Sequence, residues 1–319
     1  MAAEHVAGPI HRIPSEMGVR RLAQWLIVDG GEALLVDTGV PESVPEHILP
    51  ALSELGVEPA GLREVVISHA DVDHYGGNAG IRAAAPGARI RAQAVDRRLI
   101  ESWATISSER YGWYRPRGLD YDAAVWEWLT AAAGPDTPLD GDVADGDVLA
   151  AGTERLEVIA LPGHSPGHLG LWHAPTRTAI VADAVLHRGL VDLDGELLGP
   201  PPIVDAAGYR GSVARLQALA PERLETSHYP PIEGAAAVTE FLAASAEFMD
   251  ALEASVLGAL GSEPRPLPEI WEVANAELGP YRDMAVELGR SVGAELDDLV
   301  ARGEAREEPG DGPPRYARA

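Results

Sequence analysis

The sequence predicts a layered α/β fold, and three observations support this prediction. Short apolar runs rich in β-branched residues recur along the chain, and helical segments separate them into two groups. Histidine or aspartate follows directly after several of these runs. A chain of 319 residues with 46% hydrophobic side chains can bury a large core and form more than one folding unit.

The first predicted elements are two strands, 20–28 and 32–37, which Asp29-Gly30-Gly31 joins as a hairpin turn. A helix is expected over 45–55, because Gly56 and Pro59 follow it as stop signals. The next predicted elements are a strand at 64–68, a helix at 77–85, strands at 153–160, 168–173 and 178–182, a helix at 209–219 and a strand at 223–227.

Residues 96–133 differ from the rest of the chain because they carry four of the seven tryptophans. Two amphipathic helices are expected here, with a break at 115–118. The aromatic side chains can form a local core, a lid over a substrate pocket, or both at once. Trp103, Trp113 and Tyr114 are the candidates for contact with a substrate.

We divide the chain into a first domain, 1–240, and a helical, winged-helix-like domain, 241–319. A long helix is expected over 233–260, a linker over 261–268, helices over 268–278, 282–293 and 294–301, and a small β-wing over 303–318. Between residues 262 and 319, thirteen acidic residues outnumber seven arginines, which argues against contact with DNA. We expect this domain to serve in packing or in forming a homodimer.

Composition excludes several classes of function. The net charge of −25 opposes binding to nucleic acids, whose phosphates attract basic surfaces. The absence of cysteine and lysine removes thiolate sites, cysteine nucleophiles and Schiff-base chemistry. No long apolar stretch or signal pattern is visible, so we expect a cytoplasmic protein that does not bind membranes. Histidine, carboxylate, hydroxyl and metal chemistry remain.

The most informative motif is His69-Ala70-Asp71-Val72-Asp73-His74, which follows the predicted strand at 64–68. Imidazole and carboxylate together suit zinc, iron or manganese. Three further loops place such side chains after predicted strands. They contribute His164 and His168 in a Pro-Gly-His turn, Asp183 after 178–182, and His228 after 223–227. A site shared by these loops would hold two metals.

This order of motifs resembles the metallo-β-lactamase superfamily, and in particular its glyoxalase II-like branch, including members with a winged-helix extension. Asp37-Thr38-Gly39 also matches the first strand-end motif of that family. The resemblance implies an αββα sandwich with the metals at one edge. It implies that His69, Asp71 and His164 bind the first metal, that Asp73, His74 and His228 bind the second, and that Asp183 bridges them. His168 would lie behind the ligands, and His187 is a candidate for the pocket.

Asp71 is the departure from the family pattern, which usually has histidine at this position. A third carboxylate would bring two divalent metals with a bridging hydroxide close to neutrality. Zinc is favoured, and a harder oxygen ligand moves the preference toward manganese or iron. Alternatively, Asp71 does not reach the metal and one site is weak or empty.

The expected function is hydrolysis of an ester, thioester or lactone of a small apolar or aromatic substrate by a hydroxide held between the metals. Asp73 would orient this hydroxide and accept its proton. A phosphodiesterase or nuclease is the main alternative, because the Asp71 variant resembles that of such superfamily members. A β-lactamase has less support. A non-catalytic metal-binding or regulatory protein is the alternative from another class.

Overall fold

The computed structural model describes residues 3–281, 283–308 and 312–319. Its strands are β1 Glu4–Ala7, β2 Ile10–Met17, β3 Arg20–Asp29, β4 Glu32–Val36, β5 Leu62–Val66, β6 Arg89–Ala92, β7 Gly141–Asp142, β8 Val148–Ala151, β9 Glu154–Ala160, β10 Leu169–His173, β11 Thr178–Ala182, β12 Leu190–Val191, β13 Leu197–Gly199, β14 Arg223–Thr226, β15 Ile232–Glu233, β16 Arg265–Pro266, β17 Ala305–Glu308 and β18 Arg315–Arg318. Its helices are α1 Leu49–Glu54, α2 Val72–Tyr75, α3 Asn78–Ala84, α4 Ala94–Ile100, α5 Trp103–Glu109, α6 Ala123–Ala132, α7 Ala206–Leu219, α8 Ala235–Ala259, α9 Leu267–Leu278 and α10 Glu287–Ala301.

Two large sheets form the centre of the molecule. One has seven strands in the order β1-β2-β3-β4-β5-β6-β7, and the other has six in the order β15-β14-β11-β10-β9-β8. One apolar cluster contains residues of both sheets, so the sheets pack face to face. Two further clusters join the outer faces of the sheets to helices. The predicted αββα sandwich is therefore confirmed.

Strand alternation explains why both faces of each sheet are apolar. In β4, Leu34 belongs to the cluster between the sheets, whereas Leu35 belongs to the cluster under the helices. In β11, Ile180 and Val181 divide in the same way between the inner and outer clusters. Successive side chains of a strand point to opposite faces, so a continuous apolar run is the pattern expected of a strand buried on both sides.

A buried ion pair also joins the two sheets. Arg12 of β2 donates from Nη1 to Oε2 of Glu225 on β14 at 2.7 Å, and their side chains are 3% and 0% exposed. Trp25 Nε1 donates to the same oxygen at 2.9 Å, and Arg12 Nη2 donates to the Tyr229 carbonyl at 2.6 Å. These contacts place β14, and therefore the loop after it, against the first sheet.

Parallel pairing brings the loops of the predicted motifs to one edge. Strand β4 runs parallel to β5, and β11 runs parallel to β14. The residues that follow their carboxyl ends include Asp37, His69, Asp183 and His228. This placement explains why histidines and aspartates recur after the strands of the sequence.

Three details of the fold differ from the sequence prediction. Strands β1 and β2 precede the first strand that was predicted, and β2 contains Pro14. The aromatic segment contains α4, α5 and α6 instead of two helices, since the Ser102 side chain accepts from Thr105 N and starts a new helix. Residues 287–301 form one helix instead of two, so Gly293 does not end a helix. Gly293 instead allows close packing against Trp113, since a Cβ at this position would be 2.4 Å from the Trp113 ring.

The C-terminal region contains α9, α10 and a small sheet in the order β16-β18-β17. Strands β17 and β18 pair antiparallel, as expected of the predicted β-wing, whose residues 309–311 lie outside the described residues. The domain boundary after residue 240 falls within α8 and stays a prediction. Within the described ranges, no helix combines the length and apolar character needed to cross a bilayer.

Candidate metal centre

The motif turn lies just beyond β5, and its side chains point into the protein. His69 and His74 are fully buried, and Asp73 is 8% exposed. Residues 72–75 form the short helix α2, which turns Asp73 and His74 back toward the sheet edge. Asp37 Oδ1 accepts a hydrogen bond from Ser68 N at 2.7 Å, and this contact connects the ends of β4 and β5.

Four histidines are oriented by hydrogen bonds at Nδ1. The partners are Ser68 Oγ for His69 at 2.9 Å and Asp37 Oδ2 for His74 at 2.8 Å. For His164 and His228 the partners are the carbonyls of Pro202 at 2.8 Å and Arg21 at 2.7 Å. A carbonyl or carboxylate partner requires the proton on Nδ1, and Ser68 Oγ must also accept from Nδ1 because it donates its own proton to Asp37 Oδ2. In the neutral form of each ring, Nε2 then keeps its lone pair. Each of the four rings therefore presents Nε2 as a ligand atom.

The Nε2 atoms and carboxylates converge in two groups. Ligand atoms of His69, His164 and Asp183 lie within 4.8 Å of one another, and so do those of Asp73, His74 and His228. Asp183 Oδ2 is 3.1 Å from His228 Nε2 and 3.6 Å from His74 Nε2, so this carboxylate lies between the groups. The structure thus brings together all seven residues that the sequence proposes as metal ligands, including Asp71, described below.

Several buried polar atoms at this centre have no hydrogen-bond partner within the described residues. They are Nε2 of His69, Nε2 of His74 and Oδ1 of Asp183. An unpaired buried polar group costs about 1–3 kcal/mol, so such a cluster at one point requires a ligand. Imidazole nitrogen with carboxylate oxygen is a donor set that divalent transition metals accept. The residues present therefore fit the metals that the motif order implies.

The centre is strongly coupled electrostatically. Burial disfavours a charged His74, yet the carboxylates of Asp183, Asp73 and Asp37 outweigh it and raise its pKa well above the usual value. Burial would likewise raise the pKa of Asp183, but His228 and His74 hold it well below the usual range. Metal binding to these groups must displace protons, so metal affinity will depend on pH.

Asp71 has contacts that its sequence position did not reveal. The Arg110 guanidinium makes a bidentate ion pair with the Asp71 carboxylate, in which Nε donates to Oδ1 and Nη2 donates to Oδ2. Tyr111 OH donates to Oδ1 at 2.9 Å. Oδ2 also lies 2.8 Å from His164 Nε2 and 3.4 Å from His69 Nε2. Arg110 and Tyr111 belong to the aromatic segment, and no motif marks them in the sequence.

Asp96 joins two of the loops and was also missed. Its carboxylate is fully buried and accepts from Ala70 N at 3.1 Å, from Gly167 N at 2.8 Å and from Ser165 Oγ. These contacts connect the His69 turn to the loop that carries His164. In the sequence Asp96 precedes two arginines at the start of α4, a context typical of a solvent-exposed aspartate.

A cavity lies over the centre, and its volume is about 630 Å³ when the part open to solvent is included. It is bounded by Asp71, Asp73, His164, Asp183 and His228. Its wall comes from the aromatic segment and from the C-terminal region, including Tyr111, Tyr114, Tyr121, Trp128, Glu287 and Arg290. Glu287 accepts from Tyr114 OH at 2.6 Å and from Tyr121 OH, which connects the two parts of the wall. Tyr114, a candidate for contact with a substrate, lies in this wall.

The other predicted pocket residues lie farther away. Trp103 packs beside Tyr111 at 6.4 Å between ring centroids, and His187 lies 5.2 Å from the Phe241 ring. Trp113 stacks on the guanidinium of Arg290 at 4.2 Å, one layer behind the wall. None of these three borders the cavity in the described part of the chain, because each is held in an aromatic cluster. His168 is buried and stacks on His69 at 4.6 Å between ring centroids.

Comparison with known proteins agrees with this geometry. Residues 18–228 match the model of the metallo-beta-lactamase superfamily. A hydroxyacylglutathione hydrolase of Cereibacter sphaeroides is 27% identical over 70% of this chain and 63% of its own length, so the chain spans less than two thirds of that relative. A beta-lactamase-like protein 2 homolog of Caenorhabditis elegans is 24% identical over 66% of this chain and 56% of its own.

A solved structure covers almost the whole chain. A metallo-beta-lactamase family protein from Thermus thermophilus superimposes with a TM-score of 0.73 and 21% identity, over 98% of this chain and 99% of that one. This likeness concerns the fold. The family match over residues 18–228, more than half of the chain, shows that the chain belongs to the metallo-beta-lactamase superfamily.

Proposed function

We propose that this protein is a two-metal hydrolase that cleaves an ester, thioester or lactone of a small molecule. The observation that carries the proposal is the orientation of four histidines, each held at Nδ1 with Nε2 directed to the centre, around Asp183. The hydroxyacylglutathione hydrolases among its relatives support thioester cleavage. Zinc is the metal we expect, with manganese or iron as alternatives.

Bound divalent metals would supply a hydroxide at neutral pH and stabilise the negative charge that develops on the attacked group. The chain itself contributes the arrangement. Asp73 Oδ2 lies 3.6 Å from His228 Nε2 and 3.9 Å from His74 Nε2, so its carboxylate can orient the nucleophile and accept a proton. Asp183 holds the two groups of ligands at a fixed spacing.

The cavity wall supports a small substrate with an apolar or aromatic part. Tyrosine and tryptophan rings in the wall provide flat apolar surface beside the proposed metal ligands. The net charge of −25 also disfavours a nucleic acid.

The test is turnover of a panel of acyl-thioesters, lactones and aryl esters by the metal-loaded enzyme. We expect at least one class to be hydrolysed, and both chelation and Asp183→Asn to abolish the activity. Stoichiometric metal binding without turnover of any member would instead favour a non-catalytic metal-binding protein.

A small phosphodiester is the second candidate. Arg20 and Arg290 border the cavity, and within the described residues their guanidinium groups contact the Met284 sulfur and aromatic rings. Such cations suit a substrate that carries an anionic group. Turnover of bis-p-nitrophenyl phosphate with all esters inert would place this function first.

A further inference from the structure

The contacts of Asp71 account for all but one of its acceptor positions. Oδ1 accepts from Arg110 Nε and from Tyr111 OH, and Oδ2 accepts from Arg110 Nη2. An ionised carboxylate offers about four lone-pair positions, so one remains on Oδ2. That oxygen is 2.8 Å from His164 Nε2 and 3.4 Å from His69 Nε2. Ligand atoms that share an ion at about 2.0–2.2 Å are separated by roughly such distances.

The Arg110 charge also requires a partner. Its side chain is 11% exposed, and that of Asp71 is 14% exposed. Its other hydrogen bonds are both to His164, from Nη1 to the carbonyl at 3.3 Å and from Nη2 to Nε2 at 3.4 Å. Arginine does not lose its proton in proteins, and a buried charge without a counter-ion is strongly destabilising. Arg110 therefore needs Asp71 ionised, as much as Asp71 needs Arg110.

We propose that Asp71 and Arg110 form one electrically neutral ligand unit at the first metal position. In this unit Asp71 Oδ2 faces the metal beside His69 and His164, and Arg110 is a positioning residue that fixes the carboxylate and cancels its charge. The pair has the same net charge as the neutral histidine usual at position 71. The inference rests on the proposed metal centre.

Two consequences follow for the centre. The sequence-based count for the whole centre was near neutral and did not include Arg110; with Arg110 included, the centre would carry one more positive charge. In addition, the aromatic segment contributes to the metal position and not only to the cavity wall, since Arg110 and Tyr111 both come from it. A substitution of Asp71 by a neutral ligand should therefore preserve metal affinity only when Arg110 is replaced as well.

The test compares metal affinity, by chelator competition, in four proteins: wild type, Asp71→His, Arg110→Met and the double variant. Asp71→His leaves the Arg110 charge uncompensated beside the metal, so affinity for the ion at the first metal position should fall roughly tenfold or more. Arg110→Met leaves the carboxylate uncompensated, so that affinity should rise by a similar factor. The double variant should return to within about threefold of wild type, because opposite charge changes cancel.

Each protein is also loaded with Co²⁺, whose absorption spectrum reports the ligands directly. The spectrum should change in Asp71→His and should change in intensity or position in Arg110→Met. Arg98→Met is the matched control, since Arg98 makes an exposed ion pair with Glu109 in the same segment. It should leave affinity and spectrum unaltered. Circular dichroism and thermal melting confirm that each variant is folded.

The proposed Asp71–Arg110 unit would be overturned if Arg110→Met had the affinity and spectrum of wild type. It would also be overturned if the double variant bound metal no more tightly than Asp71→His. Both readouts are independent of turnover. If the charge pattern holds while no substrate is hydrolysed, the proposed function fails and the unit stands. If wild type hydrolyses the panel while the affinities do not follow the pattern, only the unit fails.

Discussion

Replacing Asp37 by Asn should weaken metal binding even though Asp37 is not one of the proposed ligands. Its Oδ2 accepts from His74 Nδ1 and from Ser68 Oγ, each at 2.8 Å, and its Oδ1 accepts from Ser68 N at 2.7 Å. Asp37 and His74 are both fully buried, so no water can substitute for these contacts. This carboxylate fixes the tautomer of His74 that presents Nε2.

The amide of Asn can accept at only one of its two ends. Its oxygen is required by the Ser68 N–H, so its NH₂ group faces His74 Nδ1 and moves the imidazole proton to the ligand atom Nε2. Loss of such a supporting carboxylate typically lowers metal affinity about 10–100-fold, which corresponds to roughly 1.4–2.7 kcal/mol. Asp37→Asn should show this loss.

The assay is competition for Zn²⁺ between the apoprotein and a chromophoric chelator. Asp29→Asn is the control, because Asp29 also accepts from a backbone N–H and a hydroxyl, at 2.7 and 2.6 Å from Thr153, but lies outside the site. It should bind metal as wild type does. Wild-type affinity in folded Asp37→Asn would refute the argument that Asp37 controls the His74 tautomer.

Three further predictions concern stability. Glu225→Leu should cost about 3–5 kcal/mol in urea unfolding, because Arg12 is left charged and buried, and adding Arg12→Met should recover most of this loss. Burial raises the pKa of Glu287 above its ordinary 4.5, so Glu287 contributes a loss of stability as pH rises from 4.5 through the raised value. Glu287→Gln should not show that loss, and parallel pH curves would contradict the reasoning. Gly163→Ala should destabilise the protein because φ is +139° and a Cβ would lie 2.5 Å from backbone of α7, whereas Gly211→Ala, with open space around it, should not.

The layered fold and most of the candidate ligands could be predicted from the sequence because both depend on local patterns. An apolar run marks a strand buried on both faces, as Thr178–Ala182 shows. The fixed position of Asp183 directly after such a run placed it at the sheet edge. The resemblance of this motif order to the superfamily implied which side chains would converge, and the structure brings them together.

The residues that the sequence did not reveal act through long-range contacts. Arg110 meets Asp71 across 39 positions, and Glu287 meets Tyr114 across 173. No periodicity or spacing encodes such pairs. Gly293 misled the helix prediction for the same reason, because its close contact with Trp113 comes from a distant segment.

The central claim is that His69, His74, His164 and His228 hold two divalent metals around Asp183. X-ray diffraction from crystals of the zinc-loaded protein, recorded at the zinc absorption edge, tests it most directly. We expect two anomalous peaks about 3.5–4 Å apart, each within bonding distance of two of these Nε2 atoms, with Asp183 between them. Zinc-loaded crystals with no peak at these atoms, or with zinc bound only elsewhere, would contradict the claim.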